Sequence, residues 1–293
     1  MEDFEMNCGI LRMFPFLESD EECLPFVYDT ENAHLKDLVD DYQIRSVAGD
    51  GSQLSRAITI MYWLRAYITY NGRTSVQPRY DARSLLEYGF GKPANGLNCR
   101  MLATVLAEIL LGLGMKSRIV SLHSVTPYDG DNHVVTIVWI EDTAQWVLLD
   151  PSFSAFFESE SGDPLSPWKL RRRLADEAPV VCHMRARFGT QPRGSEERLL
   201  TYMSKNLFYM YSPLRSTFGS ETDAVADRKW VYLAPAGFNI KMREFINITW
   251  RVRKYGDPSD PETVRFVREQ RDRILGGAHL YTSSEKCFSA QPE

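Results

Sequence analysis

A single cysteine stands where a polar loop gives way to a long apolar run, in the string NGLNCRMLATVLAEILLGLGMKSRIV that begins at Asn95. A cysteine nucleophile needs a base to generate thiolate, and the base needs an acceptor that fixes its tautomer. Cys99 falls in the expected first helical turn, where unpaired N–H groups and the helix dipole favour negative charge and lower a thiol pKa. The candidate base is His133, which opens the strand-like run DNHVVTIVWI, and the candidate orienting carboxylate is Asp150, which closes QWVLLD. That set of groups would arm a cysteine as a nucleophile.

Most cysteines are small buried hydrophobes, and the company they keep decides between the two readings. Cys8, Cys23, Cys182 and Cys287 have no such partners in the chain order and are read as structural. His123 is the rival base, read instead as a strand-end residue with a local hydrogen bond. The oxygen-rich stretch Asp129, Asp131 and Asn132 lacks the spacing and distal Glu of a calcium loop, so it is read as a turn that presents His133. No metal and no cofactor is expected.

The elements must bring the three groups together. Leu54, Ile58, Met61, Leu64 and Ile68 recur at helical spacing behind Ser52, a good N-cap, and predict a helix over about 52 to 68. A shorter helix near Asp81 to Tyr88 is expected to end at Gly89. Leu102, Val105, Leu106, Ile109, Leu110 and Leu113 form a broad stripe that Gly112 and Gly114 stop, a helix buried on most of its circumference. β-Branched residues then predict strands over 117 to 122, 133 to 140 and 145 to 149. If Glu141 to Ala144 form a four-residue hairpin loop, Ile140 opposes Gln145 and Asp150 opposes Val135. His133 and Asp150 then become diagonal neighbours on one face, within reach of an imidazole and a carboxylate. Trp139 opposes Trp146 on that same face.

The order Cys99, His133, Asp150, with these flanking strings, resembles the transglutaminase-like superfamily of papain-fold cysteine enzymes, most closely its bacterial members, over about 51 to 157. The nucleophile-helix string, DNHVVTIVWI and QWVLLDPSF are similar to its three successive motifs, and the helix carrying Met61 to Leu64 resembles the segment that precedes its core. The resemblance implies an α+β fold with a papain-like core, the nucleophile helix packed on an antiparallel sheet. It also implies attack of the Cys99 thiolate on a peptide or carboxamide carbonyl, protonation of the leaving amine by His133, and orientation of His133 by Asp150. The Cys99 N–H, with a donor from the first helix or its loop, would stabilise the oxyanion. Hydrolysis of peptide, protein or small amide substrates is the leading expectation. An amine acceptor giving amide-bond formation is the alternative, and a catalytically silent binding scaffold is the third. The paired zinc cysteines of the related peptide N-glycanases are absent, which weakens a deglycosylation reading.

At 293 residues, 44% hydrophobic and 25% charged, the composition is that of an ordinary globular chain. The organisation expected is an N-terminal arm over 1–50 packed on the core, a catalytic core over 51–175, and a C-terminal elaboration of the same domain over 176–293. A helix opened by Ser166 and Pro167 carries Lys169 and Arg171 to Arg173 on a face read as solvated. Tyr202 to Tyr211 is an aromatic tract that would serve as core or pocket lining, Trp230 to Pro235 is strand-like, and a last helix is expected over about 260 to 275. The net charge of -5 gives no reason to expect nucleic acid. An acidic N-terminus and the lack of an apolar run near the roughly 18 residues of a membrane span lead to the expectation of a cytoplasmic protein with no membrane partner.

Overall fold

The structure, a computed structural model, describes residues 2–19, 24, 26–74, 78–91, 96–185, 195–222, 229–277 and 279–292. Cys23 and residues 92–95 of the loop before Cys99 lie outside them. The fold is α+β. Helices α1 (Glu2–Met13), α2 (Ala33–Asp41) and α3 (Ile44–Ala48), with the short strand β1 (Val27–Tyr28), precede α4 (Gln53–Tyr67), α5 (Ala82–Gly91) and α6 (Cys99–Gly112). Strands β2 (Ser117–His123), β3 (His133–Ile140), β4 (Gln145–Asp150) and β5 (Ala155–Glu158) follow, then α7 (Pro167–Ala175), β6 (Val181–Met184) and α8 (Glu196–Asn206). The chain continues through β7 (Tyr209–Pro213), β8 (Arg215–Ser216), β9 (Trp230–Leu233), α9 (Ile240–Tyr255), α10 (Pro261–Leu275), β10 (Leu280–Thr282) and α11 (Glu285–Phe288).

Among the described residues one eight-stranded sheet runs β10-β9-β7-β2-β3-β4-β5-β6, antiparallel except where β10 lies parallel to β9. Strands from beyond residue 176 therefore extend the sheet on both sides of the central β2-β3-β4 meander. The β3–β4 hairpin closes through a 3-10 turn over Glu141–Thr143, with Ala144 left-handed at φ 47. Its register pairs Ile140 with Gln145, Trp139 with Trp146 and Thr136 with Leu149, as the alternation of side chains requires.

Helix α6 is buried from Met101 to Gly112, which explains its near-continuous apolar sequence. It lies against the face of β3 that carries Thr136, whose hydroxyl donates to the Ala103 carbonyl at 2.9 Å. Val138, Ile140, Val147 and Leu149 join α4, α5 and the outer side of α6 in one apolar cluster. Trp139, Trp146 and Leu148 belong to another, which includes Leu170, Leu174, Leu199 and Met203. The helix stops at a left-handed Gly114 (φ 82), with the Met115 N–H closing onto the Leu110 carbonyl at 2.9 Å, the geometry that ends helices where glycine removes the Cβ clash.

Two expectations need correction. Gly89 does not end α5, which continues to Gly91; a Cβ there would lie 2.8 Å from Ile68 Cδ1, so the glycine admits close packing on the end of α4. The basic face of α7 is not wholly solvated. Arg171 is buried, its Nε donating to the Leu207 carbonyl at 2.9 Å and its Nη2 to the Phe14 carbonyl, with the guanidinium 4.0 Å from the Phe16 ring centre. Arg172 pairs with Glu18 and Glu285 at 2.8 and 3.0 Å. Among the described residues no helix is long and apolar enough to cross a membrane.

Candidate active site

Asn98 caps α6, its side chain accepting from the Met101 N–H at 3.0 Å, so Cys99 is the first helical residue and its own N–H stands among the unpaired donors of the first turn. The His133 ring and the Val134 N–H lie beside its thiol and favour the thiolate. On the other side of the ring, His133 Nε2 lies 2.6 Å from Asp150 Oδ2, which leaves Nδ1 to face the sulfur. Asp150 Oδ1 accepts from the N–H groups of Ser152 (2.9 Å) and Phe153 (3.3 Å). His133 and Asp150 are 1% and 0% exposed, whereas Cys99 is only half-buried. His133 thus stands between the Cys99 thiol and the Asp150 carboxylate.

The reason is the register. Extending the observed β3–β4 pairing by one step sets Asp150 opposite Val135, on the face where His133 also points. Electrostatics then acts on the pair. Burial opposes charge on His133, but the Asp150 carboxylate, its hydrogen bond and Cys99 outweigh it and raise the imidazole to about 10. Burial likewise opposes a thiolate at Cys99, yet the hydrogen bond and charge of His133, the Val134 N–H and Arg100 hold the thiol below its ordinary value. Thiolate and imidazolium therefore stabilise each other.

Groups from outside the three motifs complete the surroundings. The Tyr202 ring meets His133 edge-on at 5.2 Å between centroids, and Phe153 does so at 5.7 Å. The Tyr202 hydroxyl donates to Asp131 Oδ1 (3.2 Å) and the Asn132 carbonyl (3.4 Å). One turn further along α8, Lys205 bridges Asp129 and Asp131 at 3.0 and 2.9 Å. The same helix therefore steadies both the ring of His133 and the loop that leads to it. The aromatic tract signalled that Tyr202 would be buried against something, but no local spacing connects it with His133. On the other flank, Arg100 pairs with Glu221 at 2.6 Å and donates to Ser121 Oγ and the Tyr211 hydroxyl at 3.0 and 3.3 Å.

His123 is stacked on Tyr209 and Tyr211, centroids 4.9 and 5.0 Å apart. Its Nε2 has no hydrogen-bond partner, so aromatic stacking takes the place of the expected local bond. Burial and the neighbouring Arg243, Arg100 and Arg251 hold it neutral, far below its usual value. The Asp129 carboxylate accepts from the Asp131 N–H at 2.9 Å and forms a turn just before His133. Among the described residues no group of three or more His, Cys, Asp or Glu side chains is placed to hold a metal. Cys8, Cys182 and Cys287 are buried. Burial pushes Cys182 up to about 12 and also raises Cys8, the opposite direction from Cys99.

Compared with known proteins, residues 40–151 match the model of the Transglutaminase-like superfamily, a segment that contains α6, β2, β3, β4 and all three candidate groups. Among solved structures the chain is similar to a candidate cysteine protease from Cytophaga hutchinsonii, at 12% identity and a TM-score of 0.33, over 61% of this chain and 66% of that one. The chain thus spans just under two thirds of that protein. No curated protein matches.

Proposed function

From a match to the transglutaminase-like superfamily over residues 40–151, we propose that the protein is a cysteine hydrolase of peptide or amide bonds, with Cys99 as nucleophile, His133 as acid and base, and Asp150 as its orienting partner. The observation that carries this reading is His133 set between the Cys99 thiol and the Asp150 carboxylate, the latter 2.6 Å from Nε2.

The thiolate attacks the carbonyl carbon, and the electron pair displaced onto oxygen meets the free N–H at Cys99. As the tetrahedral adduct collapses, the C–N bond breaks and the His133 imidazolium gives its proton to the leaving amine. The thioester that remains is attacked by water, from which neutral His133 takes a proton. Collapse releases the acid and restores the thiolate–imidazolium pair. Asp150, bound to Nε2 and fixed by two backbone N–H groups, holds the ring with Nδ1 toward the sulfur throughout.

Alkylation with iodoacetamide followed by intact mass measurement tests the nucleophile. Cys99 is expected to react fastest, with a pH midpoint below that of a free thiol, and more slowly in His133→Ala. Equal labelling of all cysteines, or none at Cys99, would favour a silent scaffold. A thioester donor offered with excess amine separates the two transfer chemistries: acid alone supports hydrolysis, and an amide product overturns it in favour of transamidation.

A further inference from the structure

A cavity of about 360 Å³ lies over β7 and β9, beginning one residue from the proposed nucleophile. Tyr80, Tyr211, Trp230 and Tyr232 supply aromatic walls, and Arg100, which follows Cys99 in the chain, lines it together with His279. The rings of Tyr211 and Trp230 meet edge to face at 5.0 Å between centroids, and those of Tyr211 and Tyr232 lie tilted at 4.8 Å. A volume of this size suits a small organic group.

Two features restrict its chemistry. The carboxylates on its wall are already matched inside the protein: Glu221 by Arg100 at 2.6 Å, and Glu244 by Arg243 at 2.9 Å and by the Tyr209 hydroxyl. Arg273 also lines the cavity; the four aromatic rings favour an aromatic group, and an acidic occupant drawn to Arg273 is the competing outcome that would overturn this. The second feature is His279, 7% exposed, whose Nδ1 has no partner. Burial and neighbouring Arg273 hold it at about 4, neutral at ordinary pH and able to share one hydrogen bond. Leaving such a nitrogen unpaired in the interior is costly, and a polar atom on an occupant would relieve it.

The direction of the substrate follows from the sheet order. The leaving amine must lie beside His133 on β3 to be protonated, with Asp150 behind it on β4. The cavity lies the other way, over β7 and β9. The group that remains bonded to sulfur therefore extends toward it.

We propose that this cavity is an acyl-side specificity pocket that takes an aromatic side chain of the donor, a phenol in preference to a phenyl, with the phenolic hydroxyl meeting His279 Nδ1. The proposal rests on the acyl-transfer reading of Cys99 and adds the substrate class. p-Nitrophenyl esters of N-acetylated tyrosine, phenylalanine, leucine and glutamate test it through nitrophenolate release, corrected for release by Cys99→Ala. The tyrosine ester is expected to exceed leucine in kcat/KM by roughly 10- to 100-fold and phenylalanine by roughly 3- to 10-fold. His279→Ala should erase the tyrosine-over-phenylalanine margin alone. Trp230→Leu should erase the aromatic-over-leucine margin. Because Trp230 is buried, Tyr80→Ala on the half-buried wall is the second variant, and it should reduce the same margin. Calorimetric titration of Cys99→Ala with N-acetyltyrosinamide adds a readout that needs no chemistry, and binding there should be lost when Trp230→Leu is combined. Binding without ester turnover would overturn the acyl-transfer reading and leave the pocket standing. Turnover with no side-chain discrimination, or an amide that binds equally with and without Trp230, would overturn the pocket.

Discussion

At Cys99 and His133 two titrations bound the reactive ion pair from opposite sides. The thiol is lowered from its ordinary 9.0 and the imidazole is raised from 6.5 to about 10, and the two titrate as a coupled pair. The pH profile of kcat/KM should therefore be bell-shaped, failing on the acid side as the sulfur gains a proton and on the alkaline side near 10 as the ring loses its own. Stability follows the same signs. The contribution of His133 is complete below 6.5 and lost as pH rises through about 10, while that of Cys99 is complete above 9.0 and lost as pH falls through its lowered value. Asp150→Asn keeps the volume but offers Nε2 an amide, and is expected to lower kcat/KM by roughly two to four orders of magnitude. Asp150→Ala also leaves His133 and two backbone N–H groups without an acceptor, a loss of about 3–5 kcal/mol measurable by denaturant titration. These three groups were legible in the sequence because each opens or closes a regular element. Tyr202 was not, since its role depends on a contact between segments remote in the chain.

At the scale of elements, α8 acts as a template for the loop before His133. Tyr202→Ala removes the ring contact and two hydrogen bonds and should lower kcat by roughly 10- to 100-fold with little change in KM. Tyr202→Phe keeps the ring and should fall less, and Lys205→Ala, which frees Asp129 and Asp131, should resemble the milder variant. Steady-state kinetics separates the three. A second tie is Glu108, buried on α6, which accepts from the Ala82 N–H at 2.9 Å and the Gly219 N–H at 3.0 Å. Burial raises its carboxyl to about 8 against the pull of those two bonds. A raised carboxyl stabilises the fold fully below 4.5 and ceases to as pH climbs through about 8. Melting curves of Glu108→Gln should lack this decline, whatever the variant loses at a backbone bond. The hairpin, α4, α6, α7 and α10 could be read from periodicity and caps. Helix α9 was not read, although Phe245, Ile248, Val252 and Tyr255 recur at helical spacing, because its face is little buried, with only Ile240 and Arg243 in the interior. Strands β5 and β6 are four residues each, too short for alternation to register.

For the molecule as a whole, the sheet is sealed by residues from its two ends meeting on one side chain. Arg118 on β2 is fully buried, its guanidinium 3.5 Å from the Phe26 ring centre, 4.8 Å from Phe288 and 5.1 Å from Trp146, with Nη2 donating to the Phe288 carbonyl at 2.6 Å. Burial lowers this arginine to about 10. Phe288→Ala should open the cage and cost about 3–5 kcal/mol, read from the denaturant midpoint. Sequence periodicity gave no hint of the cage, since it joins segments with no shared pattern. It also sets an order of events during synthesis. Ribosomes deliver the sulfur, the imidazole and the carboxylate before Tyr202 and Lys205 have been translated, and Phe288 arrives later still. A nascent chain can thus hold Cys99, His133 and Asp150 before the side chains that steady the loop leading to His133 exist at all.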